Sequence, residues 1–64
     1  MFTLIATNYF GTVNFEESYL EWELAEFSFF TAIGCVDCKD AMIINATTGE
    51  LLLEYADKTI TDYR

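Results

Sequence analysis

The residues best suited to chemistry in this sequence are two cysteines, Cys35 and Cys38, in the stretch "GCVDCKD". A CxxC pair is typical of zinc sites and of thiol–disulfide enzymes. Zinc usually takes four ligands, and the chain has no histidine and no other cysteine. A metal would therefore have to be shared between two copies of the chain.

A redox function needs a different setting from the one predicted here. Redox CxxC motifs begin at the N-terminus of a helix, where the helix dipole lowers the pKa of the first thiol. In this sequence the motif follows a predicted helix and precedes a predicted strand. Plain reduced cysteines in a loop are therefore the favoured interpretation, with a shared metal and a redox pair as alternatives, and we expect no cofactor.

Carboxylates are the other reactive side chains, and they greatly outnumber the bases. The chain has eleven acidic residues and three basic ones, which gives a formal net charge of −8. Paired carboxylates can do acid–base work, but the usual general base, histidine, is absent. A chain of 64 residues also leaves little volume for a substrate pocket. We therefore expect a protein that is not an enzyme.

The acidic residues are concentrated in one segment, "NFEESYLEWELAEF", residues 14–27, which holds five glutamates and no lysine or arginine. Solvated surface charge is the simpler explanation, because carboxylates near a helix start are favourable and keep small proteins soluble. The alternative is an acidic face that binds a partner. The candidate partner-binding residues are Glu16, Glu17, Glu21, Glu23, Glu26, Asp37 and Asp40.

The sign of the charge restricts the class of partner. Phosphates would be repelled, so direct binding to nucleic acid is not expected. A basic protein surface would attract the chain at long range. A small body that displays carboxylates can occupy a groove shaped for phosphate and compete there with DNA or RNA. Such binding would weaken with added salt.

The apolar pattern predicts a single domain over residues 1–64 with one central helix. Strands are expected at Phe2–Thr7 and, briefly, at Thr12–Phe15. A hairpin of two strands, Ala41–Ala46 and Glu50–Ala56, is expected to turn at Thr47–Gly49, where glycine supplies a positive φ. The tail, residues 57–64, is expected to be frayed or to add a short turn.

The central helix is predicted over Glu17–Ile33. Asn14-x-x-Glu17 and Ser18-x-x-Glu21 both match a capping box, and Gly34 stands where a helix C-cap is expected. The resulting fold class is α+β: a small antiparallel sheet of three or four strands with one helix on one face, in the order β-(β)-α-β-β.

The predicted helix carries two apolar stripes on roughly opposite sides, whereas an ordinary surface helix carries one. The first stripe, which we expect to face the sheet, is formed by Trp22, Ala25, Phe29 and Ile33. The second is the candidate oligomer interface, formed by Leu20, Leu24 and Phe27. Loops could cover it, but a homodimer or accessory module that associates through it is the alternative function.

In size, charge and α+β pattern the whole chain resembles small acidic phage proteins that disarm bacterial defence, of the anti-CRISPR type. The resemblance implies binding to a nuclease or effector complex, without catalysis. The N-terminal segment "MFTLIATNYF" has no basic region and no long apolar run. No membrane association is therefore expected, and the expected location is the cytoplasm, which for a phage-encoded protein is that of the host.

Overall fold

The computed structural model describes residues 1–64, half of which lie in strands and 19% in a single helix. The elements follow one another in the order ββαβββ. Their bounds are β1 (Phe2–Asn8), β2 (Val13–Tyr19), α1 (Trp22–Ile33), β3 (Cys38–Asn45), β4 (Leu51–Ala56) and β5 (Thr59–Asp62).

All five strands form one antiparallel sheet in the order β2-β1-β3-β4-β5. Side chains alternate between its two faces. Phe2, Leu4 and Ala6 of β1 point toward α1, on what we call the helix face. Thr3 and Ile5 point to the opposite, open face. The strands β2 and β5 form the two edges.

The predicted fold class is wrong in its strand count and order, because the sheet has five strands rather than three or four. The residues expected to be frayed form β5 instead. This strand returns through a tight turn in which Asp57 and Lys58 both have positive φ, 52° and 62°. The turn lacks the Asn-Gly or Asp-Gly signature that would have revealed it.

The predicted helix start is also wrong, by five residues. Glu17 lies in β2, which continues to Tyr19 and pairs with β1 so that Tyr19 stands opposite Phe2. Neither predicted capping box caps α1, since Glu21 at the N-cap makes no side-chain hydrogen bond. At 12 residues, α1 is too short to cross a bilayer, and no other helix is present.

The predicted helix end is confirmed. α1 ends at Ile33, and Gly34 is its C-cap. The backbone φ of Gly34 is −76°, however, so this position does not use the left-handed conformation that commonly selects glycine at helix ends. The chain then turns directly into β3, three residues before its predicted start.

The core lies between α1 and the helix face of the sheet. Ala25 and Phe29 of the helix are buried against Leu4, Ile43 and Leu53 of the three central strands. This confirms the first apolar stripe of the helix as its buried side. Small residues such as Ala6 and Ala41 let the helix approach the sheet closely.

The loop between β3 and β4 confirms the predicted hairpin turn. Gly49 has φ +78°, as expected. The side-chain oxygen of Asn45 accepts hydrogen bonds from the backbone N–H groups of Thr47 and Thr48, at 2.9 and 3.3 Å. These hydrogen bonds are typical of a turn, and no ligand is needed to explain them.

The end of the chain is tied to the start of the helix. The guanidinium of Arg64 lies over the ring of Trp22, 4.3 Å from its centroid. The same group makes a salt bridge to Asp62 at 2.9 Å. The hydrogen bonds from Arg64 lower the pKa of the Asp62 carboxyl. β5 and α1 are thereby joined by a side chain as well as through the sheet.

Candidate protein-binding surface

The two glutamates of β2 lie on opposite faces of the sheet. Glu16 pairs across the strands with Ile5 and faces the open side. Glu17 pairs with Leu4 and faces the helix side. Both side chains are exposed, because β2 is an edge strand that α1 covers only in part. These are the central residues of the strand.

The three glutamates of the helix region lie on a different element. Glu21 is the N-cap of α1, and Glu23 stands in its first turn, where a carboxylate favours the helix dipole. Glu23 and Glu26 are three residues apart on one side of the helix. Glu26 is half-buried and lies near Arg64, whose pKa is raised mainly by the hydrogen bond to Asp62 and to a smaller extent by the Glu26 carboxylate.

The two predicted aspartates lie at one end of the sheet. Asp37 is exposed in the turn before β3. Asp40 lies in β3 and accepts a hydrogen bond from the hydroxyl of Thr7. Lys39 and Lys58 both border a small recess beside Asp40. The seven predicted carboxylates are thus distributed over β2, the helix and this lysine-bearing end.

Ion pairing is almost absent from the molecule. The single salt bridge joins Arg64 to Asp62, so the other ten of the eleven acidic residues have none. No base lies on β2 or on α1. Arg64, which lies over Trp22, is the basic side chain that packs on α1, so the excess charge of these two elements is negative but is partly offset at the start of the helix.

The candidate oligomer interface is strongly exposed to solvent. Leu20, Leu24 and Phe27 are 78%, 55% and 74% exposed, respectively. Leu20 lies in the bend before α1, so its predicted place on the helix is wrong, and only Leu24 and Phe27 of these three lie on this side of the helix. Thr31 continues the stripe toward the C-terminus of α1 and donates its hydroxyl hydrogen to the Phe27 carbonyl oxygen.

An apolar groove of about 380 Å³ runs between this stripe and β2. Asn14 and Phe15 form its wall on the strand. Phe27 and Thr31 form the opposite wall on the helix, and Ala6 of β1 lies among the groove residues. Ser28, Ala32 and both cysteines complete the lining. Sequence reasoning missed this groove, because it depends on how far β2 extends beyond the helix.

The cysteines have different environments. Cys35 is exposed in the turn after α1, whereas Cys38 is buried at the start of β3. Burial, with nearby Asp40, Cys35 and Asp37, raises the pKa of the Cys38 thiol. The Cys38 N–H donates to the Cys35 carbonyl oxygen at 3.2 Å. An acidic, buried setting disfavours the thiolate that both redox chemistry and zinc binding require.

No group of three or more metal-ligating side chains is assembled anywhere in the chain. Cys35 lies in a loop as predicted, whereas Cys38 belongs to a strand.

Sequence reasoning also missed two exposed aromatic residues, Tyr9 and Phe10, in the loop between β1 and β2. The loop is organised by Asn8, which is buried. Its amide nitrogen donates to Thr12 and Asn14 at 2.7 Å, and its oxygen accepts from the Phe10 N–H at 2.9 Å. The sequence signal was the run "NYFGTVN", whose asparagines and glycine indicate an ordered turn.

Comparisons of the chain with protein-family models, with curated proteins and with solved structures give no match.

Proposed function

We propose that this protein is a non-catalytic inhibitor that binds a basic surface of another protein. The preferred target is the nucleic-acid-binding surface of a nuclease or defence effector, which the protein occupies as a DNA mimic. The observation that carries the proposal is the unpaired charge: ten carboxylates have no salt bridge, and β2 and α1 carry no base.

Electrostatics gives this arrangement a use beyond solubility. Lysine and arginine side chains in a nucleic-acid groove are spaced to meet phosphates, and carboxylates on a small body can meet them instead. Opposite potentials steer the encounter and set its rate, whereas exposed apolar side chains hold the complex together. Phe27 and Leu24 supply such anchors beside the glutamates.

The proposal is tested by competition on a panel of purified nucleases and nucleic-acid-binding effectors. The protein should displace DNA or RNA from its target, and raising the salt from about 50 to 500 mM should weaken its binding steeply. Changing Glu21, Glu23 and Glu26 together to lysine should abolish the competition. A control variant with Glu50→Lys, Glu54→Lys and Asp57→Lys has the same net charge and should retain part of its ability to compete with nucleic acid.

Circular dichroism of both variants verifies that they fold. The proposal is wrong if no member of the panel exchanges nucleic acid for the protein, or if binding is equal at both salt concentrations.

A second candidate function is an oligomerising module that associates through Leu20, Leu24 and Phe27. The high exposure of Leu24 and Phe27 on the helix, and of Leu20 just before it, supports this function. In that case the protein should form a stable dimer without any partner.

A further inference from the structure

The strand β2 offers a free edge of the sheet. It pairs with β1 on one side only, and its seven residues include no proline and no lysine. Those residue types are common protections of edge strands against pairing with another chain. The outward backbone N–H and C=O groups of β2 can accept an added strand, a common mode of peptide recognition.

We propose that β2 is the docking edge for an extended basic segment of the partner protein, which joins the sheet as a sixth strand. This inference rests on the proposed function and specifies where and in what conformation the partner binds.

The apolar groove gives the added strand a place for a side chain. Phe15 belongs to β2 and also lines the groove, opposite Phe27 and Thr31 of the helix. Phe15 points to the helix face, since it pairs with Ala6. A side chain directly across from Phe15 on an added strand would point to that same face and contact the open side of the groove.

The charges of β2 decide between a second copy and a basic partner. Glu16 is the middle residue of the strand, and Glu17 follows it. Two copies of β2 paired antiparallel about their centres would place the two Glu16 carboxylates directly opposite one another, which is destabilising, and each Glu17 opposite Phe15 of the other copy. A strand with lysine or arginine at those positions would make favourable cross-strand pairs instead. The charges of β2 therefore disfavour pairing with a second copy of the chain and favour pairing with a basic segment.

The register predicts the sequence of the segment. In an antiparallel pairing, three consecutive residues would stand opposite Glu17, Glu16 and Phe15. They should be basic, basic and apolar, in that order from the N-terminus. The first and third would face the helix, and the second would face the open side of the sheet.

A labelled eight-residue peptide with Lys-Arg-Val at its centre, flanked by threonine and serine, tests this geometry by fluorescence anisotropy. N-methylation on alternate residues gives two peptides of equal charge and composition. One has methyl groups on the edge that faces β2 and should bind at least tenfold more weakly than the unmethylated peptide. The other has them on the outer edge and should bind as the unmethylated peptide does. Replacing valine with serine should weaken binding about tenfold.

Charge reversal in the protein provides the second measurement. Glu16→Lys with Glu17→Lys should weaken peptide binding about tenfold or more, because two attractive pairs become repulsive. The control, Glu50→Lys with Asp57→Lys, has the same net charge and lies outside the candidate binding residues, so its affinity for the peptide should fall less than threefold. A Glu-Glu-Val peptide should bind the β2 variant better than it binds the control variant of equal net charge, which would show that the β2 variant is folded and that the pairing is direct.

The outcomes separate this inference from the proposed function. If both methylated peptides bind equally, or if both charge variants lose the same factor in peptide affinity, the peptide is held by general electrostatic attraction. The proposal of a sixth strand is then wrong. If no peptide binds while the protein still displaces nucleic acid from a basic target, only the sixth strand is wrong. If the protein binds neither peptide nor target, both proposals fail.

Discussion

The two cysteines show how much the setting of a residue limits its chemistry. Cys35 and Cys38 have the spacing of a redox or metal motif, but Cys38 is buried and surrounded by acidic groups that raise its pKa. A thiol in this setting stays protonated at neutral pH and is a poor nucleophile. Since its pKa is raised by folding, its contribution to stability is complete below the ordinary thiol pKa and is lost as pH rises through the folded value.

We therefore expect the two thiols to alkylate at very different rates. With iodoacetamide at pH 8, Cys35 should react at least tenfold faster than Cys38, as followed by mass spectrometry of the Cys35→Ser and Cys38→Ser variants. In urea the two rates should become similar. Equal rates in the folded protein would contradict the burial of Cys38.

The glycines Gly34 and Gly49 form a second contrast at the scale of residues. Gly49 has φ +78°, so Gly49→Ala should cost about 1–2 kcal/mol in the free energy of unfolding. Gly34 has φ −76°, and an added Cβ would lie 3.4 Å from the Thr31 carbonyl oxygen, an ordinary contact. Gly34→Ala should therefore stabilise the protein by about 0.4–1 kcal/mol through the unfolded state. Urea denaturation of both variants checks the opposite signs.

At the scale of elements, α1 packs against the sheet through one of its sides only. Phe29 is fully buried, and the adjacent Phe30 is 49% exposed, although their rings meet edge to face. Phe29→Ala should cost about 3–5 kcal/mol, because it leaves a cavity at the centre of the core. That is comparable to the whole stability expected of a 64-residue domain, roughly 3–10 kcal/mol.

Phe30→Ala is the matched control, since it removes the same side chain one position away. It should lower the unfolding free energy by far less, as measured by urea denaturation. A loss equal to that of Phe29→Ala would mean that the helix is rotated from the orientation described.

The first strand, the helix end and the β3–β4 hairpin could be predicted from sequence because local signals agreed with the fold. Alternating residues in Phe2–Thr7, the stop at Gly34 and the turn glycine Gly49 each indicate one structure only. The start of α1 could not be predicted, because the capping-box matches at Asn14-x-x-Glu17 and Ser18-x-x-Glu21 favour a helix start near Glu17. Pairing with β1 overrides that preference, and pairing between distant residues leaves no local mark.

β5 was missed for a related reason. Thr59, Ile60 and Thr61 have strand propensity, but the run is only four residues long and follows an unusual turn at Asp57 and Lys58. Short edge strands depend on their neighbour for stability, so their sequences carry a weak signal.

At the scale of the whole molecule, sequence could predict which residues are charged but not how they are grouped. The excess of acid follows from composition, and the exposed side of Leu24 and Phe27 follows from helical periodicity, whereas Leu20 precedes the helix. Assigning Glu16 and Glu17 to the edge of a sheet requires the strand order, which only the folded topology supplies. The groove beside Phe15 depends on the same order.

The oligomer interface makes a prediction for the assembled state. If Leu24 and Phe27 mediate association, sedimentation equilibrium should detect a dimer, and either Leu24→Glu or Phe27→Glu should convert it to a monomer. Neither change should unfold the chain, since both side chains are exposed. A monomer in the wild-type protein at high concentration would remove oligomerisation as the function and leave this side free for a partner.

The contact between Arg64 and Trp22 has a practical consequence. Trp22 is the only tryptophan in the chain, and it lies where the last residue folds back onto the first turn of the helix. The fluorescence of Trp22 therefore reports whether the C-terminus is in contact with the helix. A ligand or proteolytic cut that frees β5 would change its emission before the core itself melts.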